Sequence, residues 1–335
     1  MAIKILGGLA AENFVSNETN EKQIDIQRTL FNERFTNGVQ LRVDHDYTNG
    51  QPLEELIKKV NSLDIPYIVH GPAENLGVDL GQTCDQANKF TEYKSEYPHA
   101  RWDFFNKEAI DNAHEIAKLK NSLDSKVILH IGYAPYEFPY DPVMKELQSS
   151  GNFAKDEETI KKHLNMIKKF LENYMENIPI NIETVPFLRL DSSKKLSDIC
   201  YGFGSLPEQM KDLLKYAKGD VVIDFTHSEV TANQMKEWQF FFKNPRNYEK
   251  LIKEFLELNV SKFTHFSGHT KGLWDVHDGF IKPETKDEYA HGVVLSALQE
   301  LNKRHNDIYI ALEIKWNDLE NSKREIDAFY EQYKL

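Results

Sequence analysis

The sequence predicts a (β/α)8 TIM barrel with long βα loops, and three observations carry that expectation. Eight short runs rich in β-branched and apolar residues recur near residues 3–7, 39–43, 66–70, 126–130, 180–183, 220–224, 262–265 and 308–313. Stretches with helical periodicity lie between them, and strands alternating with helices mean a parallel sheet. Eight such units in 335 residues average about 42 residues each, which suits barrel repeats with extended loops. No linker rich in Pro, Gly or Ser and no internal repeat divides the chain, so residues 1–335 are expected to form a single domain.

Each element has a local reason. The run Val221-Val222-Ile223 is apolar at every position, as a strand must be when helices cover one face of the sheet and packed side chains the other. Leu53, Leu56, Ile57 and Val60 fall on one helical face, as do Ile160, Leu164, Ile167, Phe170 and Leu171. Leu251, Ile252, Phe255 and Leu256 repeat the pattern, followed by Val293, Val294, Ala297 and Leu301. Lysine pairs such as Lys161-Lys162 and Lys168-Lys169 read as solvated helix faces. Segments 71–103, 133–156 and 186–206 follow neither period and are expected to be βα loops roofing one mouth of the barrel.

Composition narrows the function. With 53 acidic and 41 basic residues the chain carries a formal charge of −12, whereas proteins that track duplex phosphates present a basic face. No run of about 18 apolar residues is present, and the opening MAIKILGGLAAENF has no cleavage pattern after it, so a cytoplasmic protein without a membrane partner is expected. Cys84 and Cys200 are far apart and form no CxxC, so any bound metal must be held by His and carboxylates.

Such residues stand at the ends of six successive strands: His70, His130, Glu183, Asp224, His265 and Glu313. His227 follows Asp224 by three residues, and Asp275 and His277 follow the seventh strand, making nine ligand-type side chains at one mouth. Burying several carboxylates and imidazoles at the rim of a low-dielectric core is costly without a counter-charge, and no Lys or Arg stands at these strand ends to provide it. Divalent cations would. Imidazole and carboxylate donors without thiolates suit zinc, with manganese or iron as alternatives, and nine donors exceed the needs of one ion. Two or three ions are expected.

His70, His130, Glu183, Asp224-x-x-His227, His265, Asp275-x-His277 and Glu313, in this order on strands three to eight, resemble the ligand set of endonuclease IV, the trinuclear apurinic/apyrimidinic endonuclease of the xylose-isomerase-like superfamily. The resemblance implies one ion on His70, His130 and Glu183, a second on Glu183, Asp224, His265 and Glu313, and a third on His227, Asp275 and His277. It also implies a phosphoesterase that uses a metal-bridging hydroxide, with Glu183 and Glu313 as catalytic carboxylates. The chain departs from that family where DNA is read: Leu6-Gly7-Gly8-Leu9 replaces a His after the first strand, Gly71 replaces a Tyr after His70, and Val43-Asp44-His45-Asp46-Tyr47 replaces a basic loop. A small-molecule or single-stranded phosphoester or sugar substrate is therefore expected rather than duplex DNA.

Two other chemistries fit part of the pattern. A sugar isomerase or epimerase of the same superfamily needs one metal, held by residues like Glu183, Asp224, His265 and Glu313, and two glutamates that move a proton. Thr264-His265-Phe266-Ser267-Gly268-His269 with Asp275-x-His277 also resembles multinuclear non-haem iron oxidases, which usually have Asn in place of His227. Trp102, Trp274, Trp316, Tyr133, Tyr136 and Phe187 stand near the mouth, where Arg42, Arg189, Lys271 and Lys282 are candidate anion contacts. His45 and Asp46 have no assigned role; His269 reads as a loop residue, and His114, His163 and His305 as solvated helix residues.

Overall fold

A computed structural model describes residues 3–14, 18–43, 53–71, 102–131, 133–135, 165, 168, 171–172, 179–189, 200–237, 239, 244–273 and 277–334. Eight parallel strands close into a barrel in chain order: β1 (Ile3–Ala10), β2 (Gly38–Arg42), β3 (Tyr67–His70), β4 (Val127–Leu129), β6 (Ile180–Glu183), β9 (Val221–Asp224), β10 (Val260–Phe266) and β11 (Ile308–Leu312). Closure is made by β1 against β11, in register from Ile3 opposite Ile308 to Leu6 opposite Ala311. Each of the eight expected strands is present. Three more, β5 (Tyr133–Pro135), β7 (Leu188–Arg189) and β8 (Cys200–Gly202), form a small antiparallel sheet in the order β5-β8-β7. This sheet grows from the segments after β4 and β6, where the sequence suggested loops; residues 136–156 and 190–199 of those segments, and 72–101 of the expected loop after β3, lie outside the described residues.

The described helices are α1 (Glu18–Asn32), α2 (Leu53–Asn61), α3 (Trp102–Ala117), α4 (Pro207–Ala217), α5 (Phe225–Glu237), α6 (Tyr248–Leu256), α7 (Glu288–Arg304) and α8 (Leu319–Tyr333). Of the stripe expected at 160–171, Leu171 is helical and buried, while Ile160, Leu164, Ile167 and Phe170 lie outside the described residues; Asn165 and Lys168 between them are helical. Side-chain caps start several helices: Asn247 accepts from the Lys250 amide at 2.9 Å, Asp287 from Ala290 at 3.0 Å, and Asp318 from Asn321 at 2.7 Å. Pro207 opens α4, where its missing N–H is no loss.

The core has two layers. Leu6, Ile68, Ile128, Val222, Phe263, Tyr309 and Ala311 fill the inside of the barrel, while a larger cluster including Val69, Leu129, Ile182 and Ile223 lies between the strands and the helices. The chain enters β9 under a tight constraint, since a Cβ at Gly219 would lie 1.4 Å from the Ile180 carbonyl oxygen on β6.

Candidate metal centre

Strand alternation decides what faces the mouth. Side chains two residues apart share a face, so the residue two beyond an inward apolar one also points inward. His70 stands two beyond Ile68, His130 two beyond Ile128, Asp224 two beyond Val222, His265 two beyond Phe263 and Glu313 two beyond Ala311. Each therefore caps the inner apolar layer. Glu183 follows the buried Asn181 in the same way, with the Asn181 side chain held by the Asp220 amide at 3.1 Å.

Three groups of donors result, each able to bring its ligand atoms within 4.8 Å of one another: His70, His130 and Glu183; Glu183, Asp224, His265 and Glu313; and His227, His277 and Glu313. All are buried except Glu313, which is partly exposed, and His277, whose side chain is 40% exposed. The first two groups are those expected from the sequence. The third takes Glu313 beside His227 and His277; Asp275 lies outside the described residues.

Surrounding hydrogen bonds orient the donors. Nδ1 of His70 donates to the Gly71 carbonyl at 2.8 Å, turning Nε2 toward Glu183 Oε2, also at 2.8 Å. Two lone pairs facing one another at that distance need a cation between them, a proton or a metal ion. Nδ1 of His227 donates to the Thr184 carbonyl at 2.8 Å, leaving Nε2 as the donor. Asp224 divides its oxygens: Oδ1 accepts from the His227 amide at 2.8 Å, capping α5, and Oδ2 is buried without a hydrogen bond. Glu183 Oε1 lies 3.0 Å from His265 Nδ1 and Glu313 Oε2 3.0 Å from His277 Nδ1, close contacts without hydrogen-bond geometry, and these carboxylate oxygens and both ring nitrogens of His265 are shut off from solvent. Nitrogen and carboxylate donors left without hydrogen bonds in a buried cluster fit a divalent cation.

Charge coupling is strong. Burial alone would raise Glu183, but the His265 and His130 imidazoles hold its carboxyl well below the usual range. Burial of Glu313 is likewise outweighed, there by His277 and His265, which lower it. For Asp224 burial wins over the attraction of His227, with Glu313 and Glu183 adding to the rise, and the carboxyl is pushed up to about 7. Burial would lower His265, yet Glu183 and Glu313 raise it to about 10.

A cavity of about 470 Å³ opens beside these groups. One wall carries His70, His130, His227, His277 and Glu313; the other is built from β1, β2 and the segment after β11, with Gln40, Arg42, Lys315 and Trp316. The expected places of Arg42 and Trp316 at the mouth are thus met, and Lys315, which the sequence analysis does not single out, lines the cavity as well. The general rule that no cation stands near these strand ends fails at that residue.

Other residues singled out in the sequence resolve differently. Lys271 lies 3.6 Å from Asp287 and Lys282 2.7 Å from Asp278, so each faces a carboxylate. His269 is no solvated loop residue: it is buried, with Nδ1 3.0 Å from Glu229 and Nε2 2.7 Å from the Tyr333 hydroxyl, tying the end of α8 to the loop after β10. His114 is buried rather than solvated, and His305 is half-buried with Nε2 donating to the Val260 carbonyl at 2.9 Å. Phe187 is buried, its amide donating to the Thr231 hydroxyl at 3.0 Å. His45, Asp46, Tyr136, His163 and Trp274, and the side chains of Trp102, Tyr133 and Arg189, lie outside the described residues.

No family model matches the chain, and no curated protein matches it in sequence. Among solved structures it is similar to a Thermus thermophilus protein soaked with zinc chloride, at 13% identity and a TM-score of 0.48 over 98% of each chain. It is also similar to the IolI protein with a bound zinc atom, at 10% identity and a TM-score of 0.43, covering 100% of this chain and 98% of that one. A sugar phosphate isomerase/epimerase from Parabacteroides distasonis matches at 11% identity and a TM-score of 0.37, over 98% of this chain and 97% of that one.

Proposed function

We propose that this protein is a divalent-metal-dependent enzyme that holds adjacent ions at the mouth of its barrel and hydrolyses phosphoesters. The observation that carries the reading is the sharing of carboxylates: Glu183 belongs to two of the three donor groups and Glu313 to two. Shared carboxylates bring ions close together, the arrangement hydrolytic multi-metal sites use. The chemistry that zinc or a similar ion would supply is Lewis acidity at phosphoryl oxygens and a water acidic enough to act as a nucleophile near neutral pH.

The chain's own contribution is orientation and exclusion of solvent. His70 and His227 are fixed through backbone carbonyls, and Asp224 through the first turn of α5. The apolar layer of Ile68, Ile128, Val222 and Phe263 seals the floor, so charges above it act in a low-dielectric setting. Metal-loaded protein is expected to cleave bis(p-nitrophenyl) phosphate or a single-stranded abasic oligonucleotide, to lose that activity to a chelator and to regain it with zinc or manganese. Absence of hydrolysis on either substrate, with two or more ions bound, would remove the phosphoesterase reading.

A second reading has one specific observation in its favour. Glu183, Asp224, His265 and Glu313 are by themselves a four-donor set, enough for one ion and for two glutamates to move a proton beside a sugar carbonyl. A sugar isomerase or epimerase would interconvert ketose and aldose, or epimers, with a single ion bound.

A further inference from the structure

Among the described residues, two strands of the barrel bring no donor to the candidate metal centre, and the cavity opens on those two. β1 ends Gly7-Gly8-Leu9-Ala10, with no polar side chain in the run, and β2 ends in Arg42. In the closed order β11-β1-β2-β3, β1 lies between β2 and β11, so Arg42 at the end of β2 and Lys315 just after β11 flank the bare end of β1 from either side. Both side chains are exposed, and Lys315 has no carboxylate partner among the described residues. Among the described residues that line the cavity, the one carboxylate is Glu313, already a member of two donor groups. Among the described residues that line the cavity, Arg42 and Lys315 are the two basic side chains, in a chain of formal charge −12.

Trp316 is seated against the same strand end. A Cβ on Gly8 would lie 2.7 Å from the indole Cδ1 and 2.8 Å from Nε1, so the ring occupies space that any other residue at position 8 would deny it. The half-buried indole therefore has a fixed seat against Gly8 on the cavity wall that also carries Arg42 and Lys315, with the Gln40 and Asn13 amides lining the same space. A volume of about 470 Å³ falls in the range for a small organic ligand.

We infer that the β1–β2–β11 wall is a binding subsite for a small organic phosphate, with Arg42 and Lys315 meeting the phosphate oxygens and Trp316 meeting a ring or other flat face of the same molecule. The inference rests on the phosphoesterase reading for the use made of the bound molecule, but the subsite is built from residues outside the donor groups. Arg and Lys are the usual partners of phosphate oxygens, and an indole face takes rings and sugar faces with little entropic cost. The small volume and the acidic total favour a small molecule over a nucleic-acid chain.

The test uses phenylphosphonate, which has a ring and a phosphate-like group and cannot be hydrolysed, with methylphosphonate and benzyl alcohol as probes that lack the ring and the charge. Binding is measured by titration calorimetry on full-length protein, both stripped of metal and loaded with zinc. Phenylphosphonate is expected to bind the metal-free protein, more tightly than either control. Lys315→Ala should weaken it about five- to tenfold, the loss of one charge-assisted contact at an exposed position, and Lys315→Glu should weaken it further. Trp316→Ala should reduce phenylphosphonate affinity toward that of methylphosphonate and leave methylphosphonate unchanged. Lys315 is exposed, so its variants report on binding without a folding defect; circular dichroism checks Trp316→Ala. Equal binding by wild type and Lys315→Glu, or binding seen only in the zinc-loaded protein, would overturn the subsite and leave the metal-centre reading intact. Metal loading without phosphoester hydrolysis would remove the function while the subsite stood.

Discussion

Glu183 faces four imidazoles at once: His70 at 2.8 Å, His265 at 3.0 Å, His130 at 3.2 Å and His227 at 3.6 Å. A single carboxylate so surrounded is where the donor groups join, and substituting it should affect more than one of them. Glu183→Gln is expected to lower the metal content by more than one ion per chain, whereas His70→Ala should lower it by one, both read by elemental analysis. The metal-free protein should also show a defined pH dependence. His265 is raised from 6.5 to about 10, so its stabilising proton is fully present below about pH 6.5 and is lost as pH climbs through about 10. Chemical denaturation should therefore find the metal-free protein less stable at pH 9.5 than at pH 7 on this account. Saturating zinc should offset that loss, because the metal binds the deprotonated ring. A metal-free stability that rises over this window would contradict the charge pattern assigned to His265.

At the scale of elements, the donors owe their positions to strand ends and their rigidity to helices behind them. α5 begins at once after Asp224 and is buried along nearly its whole length, so the cap from Asp224 to the His227 amide fixes two donors together. Asp224→Asn keeps an oxygen for that cap and removes the charge; metal loss with an unchanged circular-dichroism spectrum is the expected outcome. α8 plays a comparable part for His277. Glu325 on this helix accepts from the Phe280 amide at 2.5 Å and the Ile281 amide at 3.2 Å, holding the backbone a few residues beyond His277. Glu325→Ala leaves the buried Phe280 amide unpaired and should cost about 2 kcal/mol. It should also selectively weaken the group of His227, His277 and Glu313, whereas a loss spread equally over all the metal sites would argue for general unfolding instead. The six strand-end donors were legible in the sequence because each closes a short apolar strand run with a His or a carboxylate. His269, Lys315 and the β5-β8-β7 sheet were not, because their positions depend on contacts between segments distant in sequence, such as His269 with Glu229 and Tyr333.

For the whole molecule, the barrel divides its mouth into two sectors. Among the described residues, six strand ends offer candidate donors, and β1 and β2, which offer none, border the cavity. The fold class followed from alternation alone, since eight apolar runs separated by amphipathic helices leave few other solutions at this length. What the bound molecule is depends on wall residues outside the regular strand pattern, and so was out of reach of periodicity. Binding of ions to the folded chain alone must also stabilise it by mass action. A free ion concentration of about 1,000 times its Kd should add about 4 kcal/mol per independent site, seen as a rise in Tm on titration with zinc and its reversal by chelator. The central claim, that adjacent divalent ions share Glu183 and Glu313, is tested most directly by elemental analysis of purified, metal-replete protein. Two or three ions per chain are predicted, falling by more than one in Glu183→Gln; a single ion per chain, or less, would contradict the account.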